Sequence, residues 1–485
     1  MGYVIGCDIG TTNVKTTAFD CDTGAIYATH SEGYTMQHPH PDWSEQDPDD
    51  IYNALCKCVH AVHVTAKQHG TIAGIAFSSA MHSVLAMDKN GKKLTKLMIW
   101  ADNRSAEIAD KLRRSPDGFK MYQHNGTPIH AMTPACKLLW LKKEAPLLFE
   151  ATDKFIGIKE YIVYKLTGQY VVDYSIASAT GLFNIHTKKW DQWTLDYIGI
   201  SDQKLSTAVS PYHQEVLNDG NDFGVPKGTP LIMGASDGCL ANLGSGSIDS
   251  TSMTVTIGTS AAARVSSPEP YLDDRMRTFC YILDEETYII GGPSNNGAVV
   301  FEWLKNTFFE NSDYETVFKA AEQVKAGSDG LLFYPYLLGE RAPLWSSTVR
   351  GGFSGLDIQH TKQHFVRAVM EGILMNIFTF GRILLQNNQV ETIFANGGFA
   401  KSSLWVQMLA DIFGKPVSLN DTVETGTVGA AMMAIKSLGI IKEYKDMQIF
   451  TPVSVLFEVE ESINKTYQTT FERFNIQNDT FATFT

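Results

Sequence analysis

Long uninterrupted hydrophobic runs are missing from this 485-residue chain. Its longest apolar stretch, 372–385, carries Asn376 and Arg382, which predicts a core helix rather than a membrane span. Cysteine is scarce. Seven residues, with only Cys56 and Cys58 close together, exclude a disulfide framework and leave a zinc site without its second pair. Reduced thiols predict a cytoplasmic location. Positive charge is short as well: 40 Lys and Arg stand against 53 Asp and Glu, a net charge of −13. That balance excludes nonspecific capture of nucleic acid or of an anionic membrane. The first residues have no basic segment and place Asp8 early, unlike a signal peptide. Position 6 is Gly where N-myristoylation needs Ser or Thr.

The familiar nucleotide and catalytic signatures are also missing. There is no G-x-x-x-x-G-K-[ST], and the 244–246 Gly-Ser-Gly lacks the third glycine of a dinucleotide fingerprint. Neither H-E-x-x-H nor the protein-kinase H-R-D occurs. What remains is an acidic chain, 44% hydrophobic and 19% charged, which excludes extensive disorder. Its length predicts about two to four domains.

The stretch 229–262 organises the chain. Leu231-Ile232-Met233 predicts a buried strand ending in Gly-Ala-Ser-Asp-Gly, with Asp237 at the strand end. Residues 253–257 predict a second strand that breaks into Gly258-Thr259-Ser260. A carboxylate can accept a hydroxyl proton, and a Gly-Thr-Ser turn can offer N–H and hydroxyl donors to phosphate. A plain turn also explains Ser-Asp-Gly. The N-terminus repeats the device. Strands at 3–7 and 16–19 flank Asp8-Ile9-Gly10-Thr11-Thr12-Asn13-Val14-Lys15, which gathers phosphate donors at a tip beside a carboxylate able to hold hydrated Mg²⁺. One hairpin per half suggests a duplicated architecture gripping a nucleotide.

Other polar groups follow predicted strands. Met81 and His82 come after the strand at 71–77, and Asp102 and Arg104 after Ile99-Trp100. Asp102 and Arg104 suit sugar hydroxyls, or equally a helix N-cap with nearby charge. His60, His63 and His69 read as solvent-facing residues of a helix over 49–69. Gly297 opens a helix, where a phosphate or ribose can approach. Gly397 and Gly398 lie between strand and helix, which admits a flat ligand or tight packing. A long core helix is expected over 365–385 and a small-residue helix over 424–438, with few signals after Tyr444.

These residues resemble the FGGY family of carbohydrate kinases over most of the chain. The resemblance rests on Met132, Pro134, Lys137, Trp140, Leu141 and Glu144, and on 351–371 through Phe353, Gly355, His364, Phe365, Ala368 and Glu371, with the Asp8–Thr12 turn and the Asp237 segment in place. It implies an α/β, actin-like ATPase fold of two RNase-H-like domains around a central cleft, divided here as 1–246 and 247–485. It implies ATP as donor and Mg²⁺ as helper, with Asp8 and Asp237 as metal-side carboxylates. Asp237 matches the catalytic aspartate. Thr11, Thr12, Asn13 and Lys15 match the first phosphate turn, Gly258 and Thr259 the second. Gly297, Gly398 and Ser402 match nucleotide contacts, though some members place Asn at the last. Met81 and His82 match a substrate-contacting pair. The segments 78–83, 99–105, 125–130, 157–161, 175–184 and 336–345 are most similar to the gluconate-phosphorylating branch, with xylulose kinases as runner-up. That branch implies a sugar acid as partner, whose carboxylate Lys159, Arg104 or His82 would read. A homodimer is compatible with it. An actin-like nucleotide switch without a sugar substrate is the reading from a different class.

Overall fold

The structure is a computed structural model that describes residues 2–420 and 424–483. Counting the strands of its two large sheets, the first contains β1 (Gly2–Ile9), β2 (Asn13–Asp20), β3 (Ile26–Gly33), β4 (Thr71–Ser79), β5 (Gln214–Val216) and β6 (Pro230–Ser236), in the order β5-β6-β4-β1-β2-β3. The second contains β7 (Ser252–Ile257), β8 (Ala261–Ser267), β9 (Phe279–Ile282), β10 (Tyr288–Ser294), β11 (Thr392–Asn396), β12 (Val417–Asn420) and β13 (Val453–Phe457), in the order β9-β10-β8-β7-β11-β12-β13.

The two sheets repeat one another. In each, a hairpin pair is antiparallel (β1 with β2, β7 with β8), and a third antiparallel strand follows (β3, β10). On the other side of the first strand lie two parallel strands (β4 and β6, β11 and β12), then an antiparallel edge (β5, β13). The duplication suggested by the two hairpins is therefore real at the level of topology, with β9 added at one edge. This is the ribonuclease-H-like layout, twice, in an actin-like pair.

Helices cover the sheets: α1 (Pro48–Ala66), α2 (Ile158–Thr167), α3 (Asp237–Gly244), α4 (Ala298–Phe308), α5 (Lys362–Asn387), α6 (Ser403–Phe413), α7 (Thr425–Ser437) and α8 (Glu461–Thr483). The start of α1 is set by Asp47, which accepts from the Asp49 N–H, and by Pro48 in its first turn. Ile51, Leu55, Val59 and Val62 bury its inner stripe. His63 departs from expectation: it is buried, and its Nδ1 meets the Tyr3 hydroxyl at 2.7 Å. β1 is buried along nearly its whole length because both faces are covered, which explains a continuous apolar run instead of alternation.

α7 lies between the halves. A Cβ on Gly6 of β1 would stand 2.2 Å from the Thr427 carbonyl oxygen, and one on Gly429 only 2.1 Å from that of Leu240 in α3. Glycine at these positions lets backbone meet backbone, so a helix from the second half seals the first sheet. Val4, Ala76 and Ile232 share a core there with Leu240, Met432 and Met433.

Among the described residues, α5 is the one helix long and apolar enough to cross a membrane, and 83% of its apolar window is buried within the protein. It is the core helix expected over 365–385. The region after Tyr444 holds more than its sequence signalled. β13 closes the edge of the second sheet, and α8 buries Tyr467, Phe471 and Phe474 against the core of α5 and α6.

Candidate active site

The ends of β1, β4, β6, β7 and β8 converge on a cavity of about 280 Å³. Its wall brings together Thr11, Met81, His82 and Asp237. Asp237 is the first residue of α3, directly after β6, so its carboxylate stands at a parallel-strand end where open α/β sheets present ligand-binding groups. Its Oδ1 accepts the Gly238 N–H at 2.6 Å. Burial raises the pKa of this carboxyl above the usual carboxylate range, opposed by Arg264, the Gly238 N–H, Lys159 and Arg341.

The first turn is braced through its acceptors. Tyr34 bonds the Gly10 and Thr12 carbonyls through its hydroxyl and N–H, and Gln46 Nε2 donates to the Thr11 carbonyl at 2.7 Å. Trp100 Nε1 donates to Thr11 Oγ1 at 2.8 Å. With its carbonyls engaged elsewhere, a turn meets an anion through its N–H groups. Asn13 Nδ2 bonds Ser31 Oγ at 2.9 Å. Lys15 Nζ pairs with Glu424 Oε1 at 2.5 Å, a link between the two halves at the start of α7.

Asp8, at the end of β1, accepts Ser78 Oγ–H at 2.6 Å, and its carboxylate lies where a Cβ on Gly426 would come within 2.6 Å. Burial pushes its carboxyl up to about 6, and the Asp237 and Glu424 carboxylates add to the push. No group of three or more His, Cys, Asp or Glu is placed to cage a metal ion among the described residues. Mg²⁺ keeps most of its waters and takes one or two carboxylates plus phosphate oxygens. Asp8 would hold such an ion, with Asp237 nearby.

The second turn packs on the start of α4. Ala298 N donates to Gly258 O at 2.7 Å and Gly297 N to Thr259 O at 3.2 Å. A Cβ on Gly297 would lie 2.6 Å from Gly258 O, so packing alone requires glycine there. The adjacent pair Gly397 and Gly398 divides the two readings made of it. Gly397 has φ +103° and a Cβ would strike Ile257 O at 2.3 Å, which is tight packing. Gly398 has no atom within 4 Å of its Cβ position, an open face that a flat ligand fits. Ser402 Oγ caps α6 by accepting the Trp405 N–H at 3.3 Å, so its side chain is already in use.

Three expected substrate readers stand elsewhere. Lys159 is buried with its Nζ bonded to Asp173 Oδ2 and to the carbonyls of Met233 and Ala235. Arg104 forks onto Asp102 through Nε and Nη2, both at 2.8 Å, reaches Glu45 at 2.5 Å, and stacks 3.7 Å from the Trp43 ring centre. Asp102 is fully buried and also accepts the Ser44 N–H, while Ser105 occupies the N-cap position of the following helix. Asp102 and Arg104 are absent from the cavity wall and match each other's charge, and Asp102 Oδ1 also accepts the Arg104 N–H at 3.2 Å, a local turn bond in front of that helix. His82 does line the cavity. Burial and the Lys137 ammonium hold its imidazole down at about 3, and its ring meets Ala179 O at 2.8 Å through Nδ1. A neutral imidazole bonds hydroxyls and offers no cation to a carboxylate.

Sequence reasoning passed over two charged cavity residues, Arg264 and Arg341. Arg264 sits in mid-strand on β8 among Ala and Val, where a lone cation was the available signal. Arg341 lies in the 336–345 segment already noted for its resemblance.

Comparison with known proteins places the chain in a family. The models of the FGGY family of carbohydrate kinases match residues 3–244 (N-terminal domain) and 253–438 (C-terminal domain). The chain is 41% identical to a gluconokinase of Bacillus licheniformis, covering 91% of this chain and 89% of that protein. It is 31% identical to a xylulose kinase of Staphylococcus epidermidis, covering 96% and 94%. Crystal structures of a gluconate kinase and of a ligand-bound xylulose kinase, both from Lactobacillus acidophilus, superpose with TM-score 0.95 at 35% identity and cover at least 99% of each chain. With both halves matched and the fold shared end to end, this chain belongs to the FGGY family of carbohydrate kinases and is an ATP-dependent sugar phosphotransferase.

Proposed function

We propose that the protein transfers the γ-phosphoryl group of ATP to the 6-hydroxyl of D-gluconate, giving 6-phosphogluconate. The observation that carries the chemistry is the Asp237 carboxylate in a cavity it shares with the first phosphate turn and with Ser260 of the second. The sugar hydroxyl oxygen attacks the γ-phosphorus, the bond to the bridging oxygen of ADP breaks, and the hydroxyl proton passes to Asp237. The transition state is loose, so alignment and charge stabilisation supply most of the acceleration. Thr11, Thr12, Gly258 and Thr259 would hold the phosphates, Gly297 and Gly398 the nucleoside side, and Met81 and His82 the sugar. Bound Mg²⁺ would neutralise phosphate charge, with Asp8 orienting its water shell. A cytoplasmic location goes with this reading.

Gluconate is favoured over xylulose by the higher identity to the gluconokinase than to the xylulose kinase. Xylulose is kept as the second reading because the two solved structures superpose equally well. ADP release measured with gluconate, xylulose, glycerol and no sugar separates them. Release that needs gluconate is the expected result. Release with xylulose alone selects the second reading, and sugar-independent release would overturn both.

A further inference from the structure

We infer that Arg264 and Arg341 form the clamp that reads the carboxylate of a sugar-acid substrate. This rests on the gluconate reading above and names the residues that carry its specificity. Both guanidinium groups carry charge that no carboxylate of the described residues pairs. Arg264 Nε and Arg341 Nε are both shut off from solvent without a hydrogen-bond partner. Neither guanidinium has a carboxylate within ion-pair distance among the described residues, in contrast to Arg104 and Lys159, each already paired. The Arg341 guanidinium makes one hydrogen bond among the described residues, from Nη2 to Ser294 O at 3.2 Å.

The neighbouring carboxylates do not supply the missing partner. Glu340 is buried and occupied by neutral donors, among them Ser294 Oγ at 2.7 Å, Asn376 Nδ2 at 2.7 Å and the Arg341 N–H at 2.7 Å. Asp237 takes the Gly238 N–H and faces the cavity. The wall therefore presents two cations against one carboxylate. Removing cations from water without partners is costly, and closing a neutral sugar over them would leave that cost unmet. A substrate carboxylate offers two oxygens to two forks, the geometry that guanidinium groups match and ammonium groups do not.

The surroundings fix the forks in place. The Arg341 guanidinium lies 5.2 Å from the Trp100 ring centre. Arg264 rests on Gly238, where a Cβ would come within 3.4 Å of its Nε, so glycine beside Asp237 leaves the space the guanidinium uses. Both arginines come from the second half of the chain, while Met81 and His82 come from the first. The sugar site is thus completed only when the halves meet.

The test compares gluconate with D-glucitol, which replaces the carboxylate by a hydroxymethyl group. Affinities for both, and for ATP, are measured by calorimetry on the wild type and on Arg264→Gln and Arg341→Gln. Each variant should lose on the order of a hundredfold in gluconate affinity, with glucitol and ATP affinities within about threefold. Arg264→Lys and Arg341→Lys keep the charge without the fork and should lose about tenfold, which covers the case of a misfolded Gln variant. Unchanged gluconate affinity, equal loss of gluconate and glucitol, or loss of ATP affinity with gluconate intact would each overturn the clamp. A wild type that does not prefer gluconate to xylulose or glucitol would overturn the functional reading instead.

Discussion

Lys159 Nζ donates to Asp173 Oδ2 at 2.7 Å, with neither side chain more than 1% exposed, and its other two bonds go to carbonyls of the strand that leads to Asp237. The ammonium is fully used in holding β6 to α2 and the segment after it. Removing it leaves a buried carboxylate unpaired, so Lys159→Met should cost about 3–5 kcal/mol. Urea denaturation checks this. The folded fraction should keep its gluconate KM within about threefold. Adding Asp173→Leu should restore much of the loss, since the orphaned charge goes with it.

Asp237→Asn keeps the shape of the site and removes the proton acceptor. Turnover should fall on the order of a hundredfold or more. ATP binding, measured by calorimetry, should stay close to wild type. Near-normal turnover would move the base elsewhere.

The neighbouring glycines of the β11–α6 connection should behave oppositely. Gly397→Ala forces φ +103° on a Cβ that meets Ile257 O at 2.3 Å, so it should lower stability by about 1–3 kcal/mol. Gly398→Ala meets no protein atom and should leave the unfolding midpoint almost unchanged. Its expected effect is a higher KM for ATP, with gluconate KM unaffected. Thermal melts alongside steady-state kinetics distinguish the two.

His82 links stability to pH. Its imidazole is held down at about 3 in the folded protein, mainly by burial, against about 6.5 in an unfolded chain. The folded pKa is depressed, so the stabilisation is complete above about 6.5 and is lost as pH falls toward about 3, where the unfolded state takes the proton first. His82→Gln should remove this contribution, at most about 1.4 kcal/mol per pH unit within that window. Urea midpoints for both proteins between pH 7 and 5 give the comparison.

Asp8→Asn should raise the Mg²⁺ concentration needed for half-maximal rate by about tenfold or more, because the carboxylate that orients the hydrated ion is gone. Titrating Mg²⁺ at saturating ATP and gluconate reads this directly. An unchanged Mg²⁺ requirement would remove Asp8 from the metal side of the site.

The residues legible in advance were those whose signal is local. Asp8 and Asp237 were placed at strand ends because an apolar run broken by glycine and polar residues marks the end of a buried strand within a few positions. The two hairpin turns, α5 and α7 followed from the same short-range patterns. The β13–α8 tail was faint because an edge strand shows mostly exposed side chains and α8 is largely polar, so its Tyr467, Phe471 and Phe474 stripe stood out little.

Whether a charge is free is not a local property. Lys159 is answered by Asp173, Arg104 by nearby Asp102 and by Glu45 fifty-nine positions earlier, and Lys15 by Glu424 in the other half. Arg264 and Arg341 feel the charge of Asp237 but have no carboxylate within ion-pair distance among the described residues, and each leaves Nε unbonded at the cavity wall. The order of amino acids determined two strand-end carboxylates and two glycine-rich bends, because those depend on neighbours along the backbone, and it only suggested the repeat, whose strand pairings are long-range. Only the folded chain decided which cations meet a carboxylate and which face the cavity, because electrostatic partners and loss of solvent are set by distances through space.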